Sequence, residues 1–132
     1  MNEALCLECA VLDGNHAEAL TMLEELRGDC GARFAELFSA FLRHTQAHFA
    51  AEEQLMLSSG FGLVGEHTGE HRGLLGEMAR LEQRLQQGKT SLARAFVRER
   101  LPEWLERHIR QIDSQFALFL KTKGLCQNSV NE

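Results

Sequence analysis

At 132 residues with 44% apolar content, the chain is long enough for one domain with its own core and too apolar for a disordered segment. A formal charge of -5, from 14 Lys and Arg against 19 Asp and Glu, provides no basic face for phosphate and argues against nucleic acid. No apolar run approaches the ~20 residues of a membrane span. Met1 to Ala10 lacks a basic region leading into an apolar stretch, so a single cytoplasmic domain over 1–132 is expected.

Apolar residues recur at spacings of three and four, with no sustained strand-like alternation, so the expected class is all-α. A first helix is predicted from about Leu7 or Asp13 to Arg27, with Leu12, His16, Leu20, Leu23 and Leu26 inward and Gly28 to Gly31 as its break. A second runs to about Leu57 and turns Phe34, Phe38, Phe41, Thr45, His48, Glu52, Leu55 and Met56 to one side. Ser58 to Gly65 reads as a connection. A third helix follows, carrying Val64, His67, His71, Leu74, Met78, Leu81 and Leu85 and ending near Gly88. The fourth starts at Thr90 or Ser91, contains Pro102, which should bend it, and stops at Gly124. Short connections between long amphipathic helices imply an up-down-up-down antiparallel four-helix bundle over about 7–123, with a short tail at 124–132.

Each of the four inward stripes is interrupted by chemistry. His16, His48 with Glu52, His67 with His71, and His108 with Asp113 stand where a bundle should be purely apolar. Such groups are costly in a core unless something compensates them. Residues four apart share a helix face, so His48 and Glu52 reach one centre together, as do His67 and His71. His108 and Asp113 are five apart, about 140° in a regular helix, which predicts a widened π-type turn between them. The alternative is that the short Asp side chain reaches the centre from the flank.

Imidazole nitrogens with carboxylate oxygens suit iron, manganese or zinc rather than calcium or magnesium. Seven ligands exceed the needs of one ion, so two ions bridged by carboxylates are expected. A metal-free interior would instead need a separate partner for every one of the seven. HExxH is absent, which argues against a zincin protease, and Glu-x-x-His, needed twice by ferritin-like oxidases, appears nowhere.

Three blocks, HFAAEEQLM (His48 to Met56), EHTGEH (Glu66 to His71) and WLERHIRQID (Trp104 to Asp113), resemble the signature segments of the hemerythrin family. LDGNH (Leu12 to His16) is similar to that family's first block, and the resemblance spans about Leu12 to Phe119 in the family's order. It implies a non-haem pair of iron ions with an oxo or hydroxo bridge. His67, His71 and His108 would bind one iron, His16 and His48 the other, and Glu52 and Asp113 would bridge them. It further implies reversible dioxygen binding at the iron with two histidines, in a carrier, storage or sensing protein that is not an enzyme. Phe49, Trp104, Leu105 and Ile109 would wall the oxygen pocket. Two alternatives stay open: a di-iron enzyme reducing peroxide or nitric oxide, and a redox-responsive signalling module with a separate protein partner.

The sequence also departs from the family's pattern. Phe61-Gly62 stands where relatives often have Tyr-Pro, and His44 where an aromatic residue is common. His44 is expected to pack near the bundle end without touching metal. Glu53 points about 100° from Glu52 and is expected to face solvent, as are Glu66 and Glu70. Cys6 and Cys9 form a lone CxxC, and with Cys30 and Cys126 they are expected to be reduced thiols rather than a redox or metal-responsive element.

Overall fold

The computed structural model describes residues 6–127; parts of the expected N-terminal stretch and of the tail at 124–132 lie outside them. Helix α1 spans Ala10–Arg27, α2 Phe34–Ser59 and α3 Val64–Gln86, while α4 occupies 91–122 as a continuous but uneven helix. There is no strand among the described residues. Helix α1 packs on α2, α2 on α3, α3 on α4, and α4 returns to α1, which is the ring of an up-down-up-down bundle. No helix among the described residues is long and apolar enough to cross a membrane.

The ends follow the glycines. Gly60 at φ 79° terminates α2 with Phe61 N–H donating back to the Met56 carbonyl, and Gly124 at φ 69° does the same for α4 through Leu125 and Leu120. Both are left-handed glycine caps, which a side chain at that position would strain. Thr90 precedes α4 as expected, although its side chain makes no capping hydrogen bond.

Along α1, α2 and α4 the buried face reads apolar, polar, apolar, and along α3 a half-buried Val64 precedes His67, His71 and then Leu74. One apolar cluster gathers Leu23, Phe38, Leu74 and Leu101, and the other gathers Leu12, Met56, Phe61 and Phe116. The histidines and acids occupy the layer between them. A polar layer held between two packed cores has little freedom to relax toward water, so its groups must satisfy one another or a guest.

Helix α4 departs from α geometry twice. Phe96–Arg100 is a π segment, with Leu101 N–H reaching back to the Phe96 carbonyl immediately before Pro102. The widened turn accommodates the proline ring, which would collide with the carbonyl four residues earlier in a regular helix. The second π segment is His108–Asp113. Around it the Ser114 hydroxyl donates to the Arg110 carbonyl and the Gln115 amide to the Gln111 carbonyl. Side chains thereby serve backbone acceptors at the irregular turn.

The cysteines correct an expectation. Cys9 and Cys126 form a disulfide that joins the start of α1 to the segment after α4, with their Cα atoms 4.6 Å apart. Cys6 and Cys30 are free thiols. The pairing follows from topology: an even number of antiparallel helices returns the C-terminal segment to the N-terminal end, where Val11 N–H also donates to the Cys126 carbonyl. Asp13 organises the same end, accepting from the Leu7 and Cys9 backbone amides at 2.9 and 3.2 Å. It serves as a helix-start clamp and stands apart from the polar layer.

Candidate metal centre

Five buried groups converge: Glu52 from α2, His67 and His71 from α3, and His108 and Asp113 from α4, each offering an atom within 4.8 Å of all the others. Residues four apart bring in the α3 pair. The π turn brings in the α4 pair, placing His108 Nε2 3.1 Å from Asp113 Oδ1 despite the five-residue spacing. His16 joins from α1, its Nε2 2.8 Å from Asp113 Oδ2. Six of the seven expected ligands therefore meet in one layer.

Short contacts do not satisfy these groups. His67 Nε2 lies 2.7 Å from Glu52 Oε1 and 2.8 Å from Asp113 Oδ1, and His71 Nε2 lies 3.3 Å from Glu52 Oε1. Yet Glu52 Oε1, Asp113 Oδ1 and the Nε2 atoms of His67, His71 and His108 complete no hydrogen bond of acceptable direction. Their polar atoms crowd one shared centre instead of pairing off in hydrogen bonds. Buried groups left in that state are expensive. Nitrogen and carboxylate donors sharing one centre are the donor set of a first-row transition metal, so the residues fit a metal site.

Electrostatics point the same way. Burial alone would push the His67 pKa down, but the Asp113 and Glu52 carboxylates beside it prevail and raise it to about 9. Burial works to raise both acids, and Glu52 is also pushed up by Asp113; even so, their histidine neighbours hold Glu52 below its ordinary value and Asp113 well below. Both carboxylates are thus kept ionised inside the layer, the state in which they can hold a cation.

The imidazoles are held from behind. Phe49 stacks on His71 with ring centres 3.7 Å apart and planes 4° apart, and Trp104 stacks on His108 at 4.5 Å and 12°. Glu53 Oε2 accepts from His71 Nδ1 at 2.8 Å, which fixes the tautomer and leaves Nε2 bare toward the centre. Glu70 lies 3.5 Å from His108 Nδ1 and binds Arg107 at 2.9 Å. These contacts correct the solvent-facing assignments of Glu53 and Glu70. A residue 100° off the inward axis of a bundle helix points into the seam with the next helix, where it reaches the far side of a neighbouring ligand. Glu66 is exposed as expected.

A cavity of about 40 Å³ adjoins the cluster, and Phe49, Trp104, Leu105 and Ile109 all line it, together with His16, Glu52, His108 and Asp113. His48 lines it too, but its Nε2 does not join the cluster. It faces outward, 3.4 Å from Glu18 Oε2, with its ring centre 3.8 Å from that of His44. Burial and the adjacent His44 keep its pKa low despite Glu18. Glu18 carried no signal in the sequence, being an exposed acid on the outer flank of α1.

A four-helix bundle with an internal layer of histidines and carboxylates defines a helical metal-binding protein. The Hemerythrin HHE cation binding domain family matches residues 9–120, and the chain belongs to that family. It is similar to the bacteriohemerythrin of Ralstonia nicotianae, 33% identical over 93% of this chain and 89% of the relative. The bacteriohemerythrins of Stenotrophomonas maltophilia and Pseudomonas aeruginosa are 29% and 27% identical over 81% and 80% of this chain, each covered over 71% of its length. No solved structure matches.

Proposed function

We propose that the polar layer holds two iron ions and that the protein binds dioxygen there reversibly, as a carrier, store or sensor rather than as an enzyme. His67, His71 and His108 serve one iron, His16 and His48 the other, and Glu52 and Asp113 serve both. The observation that carries this reading is the gathering of buried nitrogen and carboxylate atoms without hydrogen-bond partners from α2, α3 and α4, with His16 of α1 beside them. When bound, the iron pair supplies the electrons that hold dioxygen, without an outside reductant.

The chain's own residues set the conditions. Histidines outnumber carboxylates, so the site carries less negative charge than an all-carboxylate one and favours release over committed oxidation. Phe49, Trp104, Leu105 and Ile109 present apolar surface to the cavity and keep bulk water from it. A volume of about 40 Å³ admits a diatomic molecule or a few waters and little else. Stacked Phe49 and Trp104 hold two imidazoles in fixed planes, so ligand exchange proceeds without repacking.

The test is a gas cycle. Reduced, iron-loaded protein should develop a new visible absorption under oxygen and lose it under argon, repeatedly. Turnover of peroxide or nitric oxide with a reductant, faster than spontaneous oxidation of the protein, would instead favour an enzyme.

A further inference from the structure

Beside the cavity, whose wall includes His44 and His48, α1 and α2 bring together three groups that the interior cluster does not use in this conformation: Glu18, His44 and His48. Histidines four apart on one helix present both rings to the same side. Here a carboxylate from the neighbouring helix completes a three-point set whose donor atoms all lie within 4.8 Å of one another. Glu18 Oε2 is 3.4 Å from His48 Nε2 and 3.6 Å from His44 Nε2. An ion bound tetrahedrally at ~2.0–2.1 Å spaces its ligand atoms roughly 3.4 Å apart. The two contacts are long for hydrogen bonds and right for ligands around a shared ion. The His44 Nε2 atom is buried and has no hydrogen-bond partner.

We propose that Glu18, His44 and His48 form a second, outer site for a divalent transition-metal ion, through which ferrous ion reaches the interior. Two imidazoles and one carboxylate select such a cation over calcium or magnesium and leave coordination positions for water. The site is therefore open and exchangeable, as a port requires. His48 connects the two places: it lines the cavity that leads to Glu52 and Asp113 while its ring nitrogen faces Glu18. Turning that one ring inward carries the ion from the outer donors toward the cluster and then leaves the outer site one ligand short. The outer site is thus strong while the interior is empty and weak once it is filled. The ion's destination rests on the interior reading above; the outer donor set rests on its own geometry.

Metal-free full-length protein mixed anaerobically with ferrous salt, sampled over time for bound iron, tests this. Glu18 is 64% exposed at its side chain, so Glu18→Gln should fold normally. His44→Gln removes one imidazole ligand and leaves the Glu18 carboxylate in place, which separates ligation from electrostatic attraction. Both variants should fill roughly tenfold more slowly than the parent, the low end of what losing a metal-supporting group costs. Both should reach the parent's final iron content. Filling at the parent's rate by His44→Gln overturns the port. So does a lower final content reached at the parent's rate, because it would place these residues among the ligands of the inner centre. A parent protein that takes up no ferrous ion overturns the interior reading and the port with it, whereas equal rates in a parent that fills normally overturn the port alone.

Discussion

Glu53 and His67 show how single side chains set the properties of the centre. Glu53 holds His71 by its outer nitrogen, so Glu53→Gln should leave the fold intact yet weaken iron binding by roughly 10–100-fold, measured by competition with a chelator. A variant with the parent's affinity would show that this contact does not orient the ligand. His67 carries a proton up to a pH of about 9, and a metal must displace it. Ferrous affinity should therefore rise as pH rises toward 9, with protons released on loading. In the metal-free protein the sign is opposite. Stability contributed by charged His67 is fully present below its unfolded value of about 6.5 and is lost as pH climbs through 9. Calorimetry in two buffers of different ionisation enthalpy checks the first effect, and thermal melts of metal-free protein check the second. At this scale the sequence was readable where a residue interrupts an apolar stripe, as His67 and Asp113 do. Glu53, Glu70 and Glu18 do not interrupt a stripe. Their roles arise from which helix lies beside them, and one helix's periodicity carries no record of its neighbour.

Helix α4 shows what spacing alone encodes. The five-residue gap between His108 and Asp113 pointed to a widened turn or to a reach from the flank, and His108–Asp113 is the widened turn. The second widened turn, at Phe96–Arg100, was legible only as a disturbance near Pro102, because a proline predicts a defect and not which of several relaxations removes it. Deletion of exposed Gln111 probes the first. If the segment holds one extra residue, deletion leaves a regular helix with Phe116, Ala117 and Leu120 still inward. The melting temperature should then change little. In a regular helix the same deletion would rotate that buried face by about 100° and cost several kcal/mol of core burial. A collapse in stability would contradict the assignment.

For the whole molecule, the class and topology followed from periodic stripes and short connections, and both hold. The disulfide between Cys9 and Cys126 did not follow, since residues 117 apart in sequence meet only once the bundle has closed. A cross-link over so long a loop typically stabilises by about 2–4 kcal/mol, chiefly by restricting the unfolded chain. Unfolded, unreduced protein should therefore show free Cys6 and Cys30 only, and reduction should lower the melting temperature; four reactive thiols without reductant would contradict the pairing.

Iron content per folded chain bears most directly on the account. After anaerobic loading with ferrous salt and removal of excess, the parent should hold two iron ions per chain and Asp113→Asn, with matching helical circular dichroism, should hold fewer. A folded parent that retains no iron, or a variant that retains as much as the parent, would contradict a centre built on these convergent donors.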